Sequence, residues 1–196
     1  MVLFQYLDNL PSVPKELVSK IITGVRDMPT TIVPPLRNIV NGNHIFENIS
    51  YKQYTADKEL TDWVRDNISD QYTLFGVQIQ DPEQHNHHHA PHADKLERTW
   101  VLNYVVQTGG SNVVNKWYHK DGIPITRPGT GPYRPTDITG FEILESVQLE
   151  PGRWHLLTAS VLHGVENIMS ERISISLGFE LHPVEHKLLN HNHGGF

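Results

Sequence analysis

Arg172-Ile173-Ser174-Ile175-Ser176-Leu177-Gly178-Phe179 alternates apolar and polar residues without a break. Side chains of an extended chain point to opposite faces at each step. Ile173, Ile175, Leu177 and Phe179 therefore share one face, and Arg172, Ser174, Ser176 and Gly178 the other. The stretch reads as a half-buried strand with a polar inner face. An arginine on such a face needs an anion. Its planar fork binds a carboxylate through two hydrogen bonds, and the hydroxyl of Ser174, two residues on, adds a third.

Working outward, six further short runs, at 73–80, 99–107, 113–119, 141–149, 153–158 and 161–165, carry strand composition and are divided by turn residues, as in a sandwich or jelly roll. The segments before them are helical in pattern. Residues 14–27 place Leu17, Val18, Ile21, Ile22 and Val25 at helical spacing, with Ser12 near the N-terminal cap. Residues 56–68 bring Leu60, Trp63, Val64 and Ile68 to one face. Helices first and strands later predict an α+β chain. The expected core is a double-stranded β-helix, jelly-roll or cupin-like, over about residues 71–182, with the helices of an N-terminal part, about residues 1–70, packed outside the sheet. A chain of 196 residues without a composition break suits a single domain, 1–196.

The candidate chemistry lies in His92-Ala93-Asp94 and, far downstream, His163. Residues two apart on a strand face the same side, so the imidazole of His92 and the carboxylate of Asp94 can converge on one ion with His163 as third ligand. Two histidines and one carboxylate leave coordination positions open, as in non-haem Fe(II) oxygenases. Arg172 follows His163 by nine residues (172 − 163). An iron site and an anion anchor thus fall within one short stretch.

Other histidines compete for these roles. Of the thirteen in the chain, His85, His87, His88, His89 and His92 crowd together. Only His92 has a carboxylate two residues on, and the rest of the cluster reads as solvated. A second pair, His119-Lys120-Asp121, precedes an Asp-Gly turn signal and reads as a surface turn. His155 has no carboxylate nearby and reads as structural, and Trp117 and Trp154 read as packing residues. Asn103 and Tyr104 are adjacent on one strand, so only one of them faces the cavity.

Pro91-His92-Ala93-Asp94, Arg98, Leu102-Asn103-Tyr104, the Gly109-Gly110 turn, Pro151-Gly152-Arg153-Trp154, Leu162-His163-Gly164-Val165 and Arg172 together span roughly residues 85 to 180. In this set the chain resembles the 2-oxoglutarate/Fe(II)-dependent oxygenase superfamily, most closely its prolyl 4-hydroxylase-like branch. The resemblance implies that His92, Asp94 and His163 bind iron as the catalytic centre. It further implies that Arg172 holds the distal carboxylate of 2-oxoglutarate; Ser174 is the candidate second contact, and Tyr104 reads either as a hydroxyl contact to the cosubstrate or as a core residue. Arginine stands at 172 where animal prolyl hydroxylases commonly carry lysine. The implied cofactors are Fe(II) and 2-oxoglutarate as cosubstrate, with ascorbate as an additional candidate. The implied reaction is hydroxylation, by dioxygen, of a prolyl or peptidyl side chain or a small amino-acid-like substrate, releasing succinate and CO2. The alternatives are a non-catalytic jelly-roll module that binds a metal or ligand, and a cupin-like enzyme using three or four histidines without cosubstrate.

Composition narrows the setting. A formal charge of −6 and a pI near 6.1 argue against nucleic acid as a partner. The chain has no cysteine, which removes disulfides, thiol nucleophiles and zinc-finger sites and makes a reducing cytoplasm the expected setting. The N-terminal residues lack a basic start, and no run approaches the ~20 apolar residues of a membrane span. Residues 121–140, rich in glycine and proline, form a long connection that reads either as a lid carrying Arg127, Tyr133 and Arg134 or as a plain surface loop.

Overall fold

The run at 172–179 forms the strand β14 (Arg172–Phe179) at the heart of the larger sheet in the computed structural model, which describes residues 2–24, 30–32, 37–40, 43–47, 52–80 and 88–190. The elements before it are, in chain order, β1 (Phe4–Tyr6), α1 (Lys15–Gly24), β2 (Thr30–Ile32), β3 (Arg37–Val40), β4 (Asn43–Glu47), β5 (Lys52–Tyr54), α2 (Lys58–Asn67), β6 (Leu74–Gln80) and β7 (His89–His92). A 3-10 turn, Leu96–Arg98, leads to β8 (Trp100–Thr108), β9 (Val114–Lys120), β10 (Ile123–Pro124), β11 (Glu142–Val147), β12 (Trp154–Thr158) and β13 (His163–Glu166).

Seven strands make one sheet in the order β1-β12-β8-β14-β6-β5-β2; a second sheet runs β10-β9-β13-β7, with β11 also paired to β9, and β3 and β4 form a hairpin. Every strand pairing among the described residues is antiparallel, as between β14 and β6 or β13 and β7. Mostly antiparallel sheet with two helices is a jelly-roll, cupin-like arrangement. The expected strands at 73–80, 99–107, 113–119, 141–149, 153–158 and 161–165 are present within a residue or two, apart from trimmed ends. The first seventy residues differ from expectation. They hold strands as well as helices, and β1 and β5 extend the larger sheet because their backbones pair with β12 and β6.

Alternation along the strands gives the larger sheet two faces. Ile173, Ile175, Leu177 and Phe179 of β14, with Val77, Ile79, Leu102, Tyr104, Trp154 and Leu156, form a cluster that also takes Leu17 and Ile21 of α1 and Leu60 and Val64 of α2. The helices therefore lie against the sheet from outside. Each such side chain contributes about 1.5–3 kcal/mol on burial. Asp57 caps α2, its carboxylate accepting from the backbone N–H of Leu60 at 2.8 Å. Ser12 caps nothing: α1 begins at Lys15, and the Ser12 hydroxyl donates instead to the carbonyl of Gly152 at 3.4 Å. Expected helix residues 25–27 lie outside the described residues.

The opposite face looks at the second sheet. Leu3, Val105, Leu149, Leu157, Val161 and Trp117 pack between the two sheets, and the Trp117 indole donates to the carbonyl of Thr158 at 2.9 Å. All of β14 is buried, which corrects the half-buried reading, because its polar face is covered by the second sheet. Arg172, Ser174 and Ser176 are thus held inside the molecule.

Candidate metal centre

The second sheet builds the centre. β7 and β13 pair so that His92 and His163 are directly opposite one another, with ring centroids 4.4 Å apart. Asp94 follows two residues after His92 and is fixed by its backbone N–H donating to the carbonyl of Ala159 at 2.8 Å. One ligand atom from each of His92, Asp94 and His163 falls within 4.8 Å of the others, and His92 Nε2 lies 3.7 Å from Asp94 Oδ1. The three residues paired by sequence reasoning are brought together and could hold one metal ion. Two imidazoles and a carboxylate fit a divalent first-row metal, and separations of this size close onto an ion by small side-chain rotations.

Backbone carbonyls choose the nitrogen that faces the ion. His92 Nδ1 lies 2.9 Å from the carbonyl oxygen of Ala90, and His163 Nδ1 lies 2.9 Å from that of Val161. A carbonyl accepts only, so in both rings Nδ1 carries the proton and Nε2 is left as the ligand atom. Burial pushes the His92 pKa down to about 4, with the neighbouring His163 adding to the shift. Burial also lowers that of His163. Both rings are neutral at neutral pH. Burial alone would raise the Asp94 carboxyl, but Arg98 foremost, then the two imidazoles, hold it below the ordinary carboxylate range. The donor set is thus ready for a cation.

Arg98 was present in the sequence motif without a role, and the structure supplies one. Its Nε lies 3.4 Å from Asp94 Oδ2, within ion-pair reach but without hydrogen-bond geometry, and its Nη2 donates to Ser176 Oγ at 3.1 Å. The ligand segment is also pinned from the 121–140 connection. Ala93 and Tyr133 exchange backbone hydrogen bonds, Leu96 donates to Thr130, and the Arg127 guanidinium donates to the carbonyl of Asp94 at 3.3 Å and to Thr99 Oγ1 at 2.9 Å. This connection carries Arg134 close enough to lower the His92 and Asp94 pKa values electrostatically.

The cavity at the triad is lined by polar groups of both sheets, among them Gln78, Gln80, His89, Asn103, Asn115 and Ser174, and Arg172 stands in its wall. Arg172 is 5% exposed, and its side chain makes one hydrogen bond among the described residues, from Nη2 to Asn115 Oδ1 at 3.4 Å. No carboxylate of the described residues pairs with it. Burial lowers its pKa to about 10, still far above neutrality, so the charge stays. Asn103 Oδ1 and Asn115 Nδ2 are buried there without a partner.

Two sequence expectations are corrected. Of the two readings of Tyr104, the cosubstrate contact gives way to the core one: the residue points to the helix side of β8. Its ring packs on Trp154 with centroids 5.0 Å apart, and Asn103 takes the cavity face. His89, grouped with the solvated cluster, lines the cavity, its ring 4.3 Å from that of His92 and its Nδ1 2.9 Å from Gln80 Nε2. The cause is a register shift in which two steps along β13, from His163 to Val165, oppose three along β7, from His92 to His89. The extra residue reverses the parity that alternation predicts. His85 and His87 lie outside the described residues. His119 sits at the β9–β10 turn, where its Nδ1 accepts from Gly122 and its Nε2 is 3.5 Å from Glu142. His155 is fully buried against the carbonyl of Asn103, as a structural residue. Asn115 was missed, although its place two residues before the packing residue Trp117 assigns it to the same inward face.

No protein-family model matches the chain, and no curated protein matches it. Among solved structures the chain is similar to Escherichia coli YcfD at 15% identity, covering 91% of this chain and 47% of that one with a TM-score of 0.43. A second structure, of Escherichia coli ribosomal oxygenase YcfD, gives 16% identity, coverage of 93% and 47%, and a TM-score of 0.37. The non-haem alpha-ketoglutarate-dependent epimerase SnoN from nogalamycin biosynthesis gives 12% identity, coverage of 89% and 76%, and a TM-score of 0.49. The chain spans about half the length of the YcfD chains it matches. No helix among the described residues is long and apolar enough to cross a membrane.

Proposed function

We propose that this chain is a single-domain 2-oxoglutarate- and Fe(II)-dependent oxygenase of the double-stranded β-helix type, closest in sequence character to the prolyl 4-hydroxylase-like branch. The observation that carries the reading is Arg172, a buried guanidinium with no carboxylate partner among the described residues, in the wall of the cavity that holds the triad. An unpaired buried charge is costly, and an anionic cosubstrate removes that cost. A metal-storing module has no need of such a group.

In this reading His92, Asp94 and His163 hold Fe(II), which supplies dioxygen activation and oxidation of a C–H bond, with succinate and CO2 released from the cosubstrate. Arg172 and Ser174 orient the distal carboxylate, and Asn115 positions the guanidinium. Arg98 keeps Asp94 ionised and aimed. Val101, Leu157, Ala159 and Val165 in the cavity wall limit water around the reacting groups. The cavity measures about 60 Å³. The substrate is a prolyl or other peptidyl side chain or a small amino-acid-like molecule, in a cytoplasmic setting.

The test is anaerobic addition of Fe(II) followed by 2-oxoglutarate. A weak visible charge-transfer band is expected in the wild-type protein and is expected to vanish in Arg172→Ala. A metal-loaded wild-type protein that shows no band and releases no succinate with any substrate screened would leave the module reading in its place.

A further inference from the structure

Behind Arg172 lies a second and larger cavity of about 310 Å³. It shares only Asn115 and Arg172 with the walls of the triad cavity. Both residues therefore contribute to the walls of the front and the rear space. The polar lining of the rear space comes from Thr108, Ser111, Gln148, Asn115 and Arg172, and Thr108 is the strand-register partner of Arg172. Its apolar lining comes from Val105, Val113, Leu149 and Pro151. Glu150 also contributes to the lining, but its carboxylate is taken up by Arg153 at 2.6 Å and by the Tyr6 hydroxyl at 3.4 Å.

We propose that the rear cavity binds a short aliphatic carboxylate whose head group pairs with Arg172 and Asn115, and whose chain lies against Val105, Val113, Leu149 and Pro151. Arg172 is 5% exposed and Asn115 7% exposed, Asn115 Nδ2 is buried without a partner, and no carboxylate among the described residues serves the guanidinium. A single positive group in the wall of an apolar pocket selects an amphiphilic monoanion. That volume is well over ten times the ~10–15 Å³ that one water needs, so the space, at about 310 Å³, admits a ligand the size of hexanoate. One guanidinium fork cannot give its bidentate face to two carboxylates. The rear ligand and 2-oxoglutarate therefore exclude one another. This competition rests on the oxygenase reading, whereas rear binding itself does not.

The experiment uses the whole chain, metal-free, titrated calorimetrically with sodium hexanoate while backbone amide shifts are followed by NMR. Saturable binding is expected, with shifts at Thr108, Ser111 and Gln148, and binding about tenfold or more weaker in Arg172→Gln, which loses the charged partner. Ser111→Trp, made from an exposed position at the cavity, serves as a second variant. It is expected to abolish hexanoate binding while the Fe(II)-loaded protein still binds 2-oxoglutarate. In the loaded wild type, hexanoate is expected to raise the 2-oxoglutarate concentration needed for the visible band. Absence of saturable binding, indifference to both substitutions, or shifts confined to Gln78, Asn103 and Ser174 would overturn the rear site. Rear binding in a protein that never binds 2-oxoglutarate would overturn the oxygenase reading and leave the rear site standing.

Discussion

At the scale of single residues, Arg98 decides how well the carboxylate of the triad is held. It touches Asp94 on one side and Ser176 on the other, so it transmits the position of β14 to the candidate metal site. Partners that orient a ligand typically account for about 10- to 100-fold in metal affinity. Arg98→Met keeps the length of the side chain and removes the charge. We expect it to weaken Co(II) binding by about that factor, read from the visible spectrum, with an unchanged far-ultraviolet circular dichroism spectrum; equal affinity in the two proteins would remove Arg98 from the site. The triad was legible because a two-residue spacing on a strand is a statement about faces. Arg98 was not, since it lies on a 3-10 turn where alternation says nothing. Tyr104 and Asn103 show a further limit. Alternation tells which residues share a face, and the packing of Tyr104 on Trp154, 50 residues away (154 − 104), decides which face is inside.

At the scale of elements, β7 and β13 approach closely within the site. A Cβ at Gly164 would come within 2.8 Å of the His89 carbonyl oxygen and 3.4 Å of Pro91 N, both backbone atoms that cannot rotate away. Gly164→Ala must therefore push the two strands apart where His92 and His163 face each other. Forced overpacking costs about 1–3 kcal/mol. In a chain of this length that lowers Tm by about 2–4 °C per kcal/mol, and metal affinity should fall with it. A calorimetric scan and a metal titration on one sample check both, and an unshifted Tm with full affinity would show that the strands accommodate the methyl group. The glycine is visible in the sequence beside His163. Its reason is not, because the opposing strand lies some 70 residues earlier and its register shift leaves no local signal.

At the scale of the whole molecule, the larger sheet separates an apolar side under the helices from a polar side that faces the second sheet. His155 sits on the polar side, fully buried, with its pKa pushed down to about 4 by burial. Its ordinary value is 6.5. Between those two values the unfolded chain binds the proton and the folded one does not, so stability is present above pH 6.5 and is lost as pH falls toward 4. Each pKa unit is worth about 1.4 kcal/mol, so the contribution reaches roughly 3 kcal/mol. His155→Gln should flatten the urea-unfolding free energy between those pH values, less what His92 and His163 add in the same direction; an unchanged slope would place the proton uptake elsewhere. Fold class was legible because the periodicities are strong. The strands of the first seventy residues were not, because runs of three to five residues such as β1 and β5 are too short to show a period and gain their form from the neighbours they join.

The oxygens that lock the two imidazoles belong to the main chain at positions 90 and 161. Whatever amino acid is encoded there, the peptide unit still presents the same acceptor, so ring orientation is shielded from substitution at the very positions that enforce it. Variation that retunes the centre has to enter through side chains farther out, which makes Arg98 and Arg127 the adjustable screws of an otherwise fixed mount.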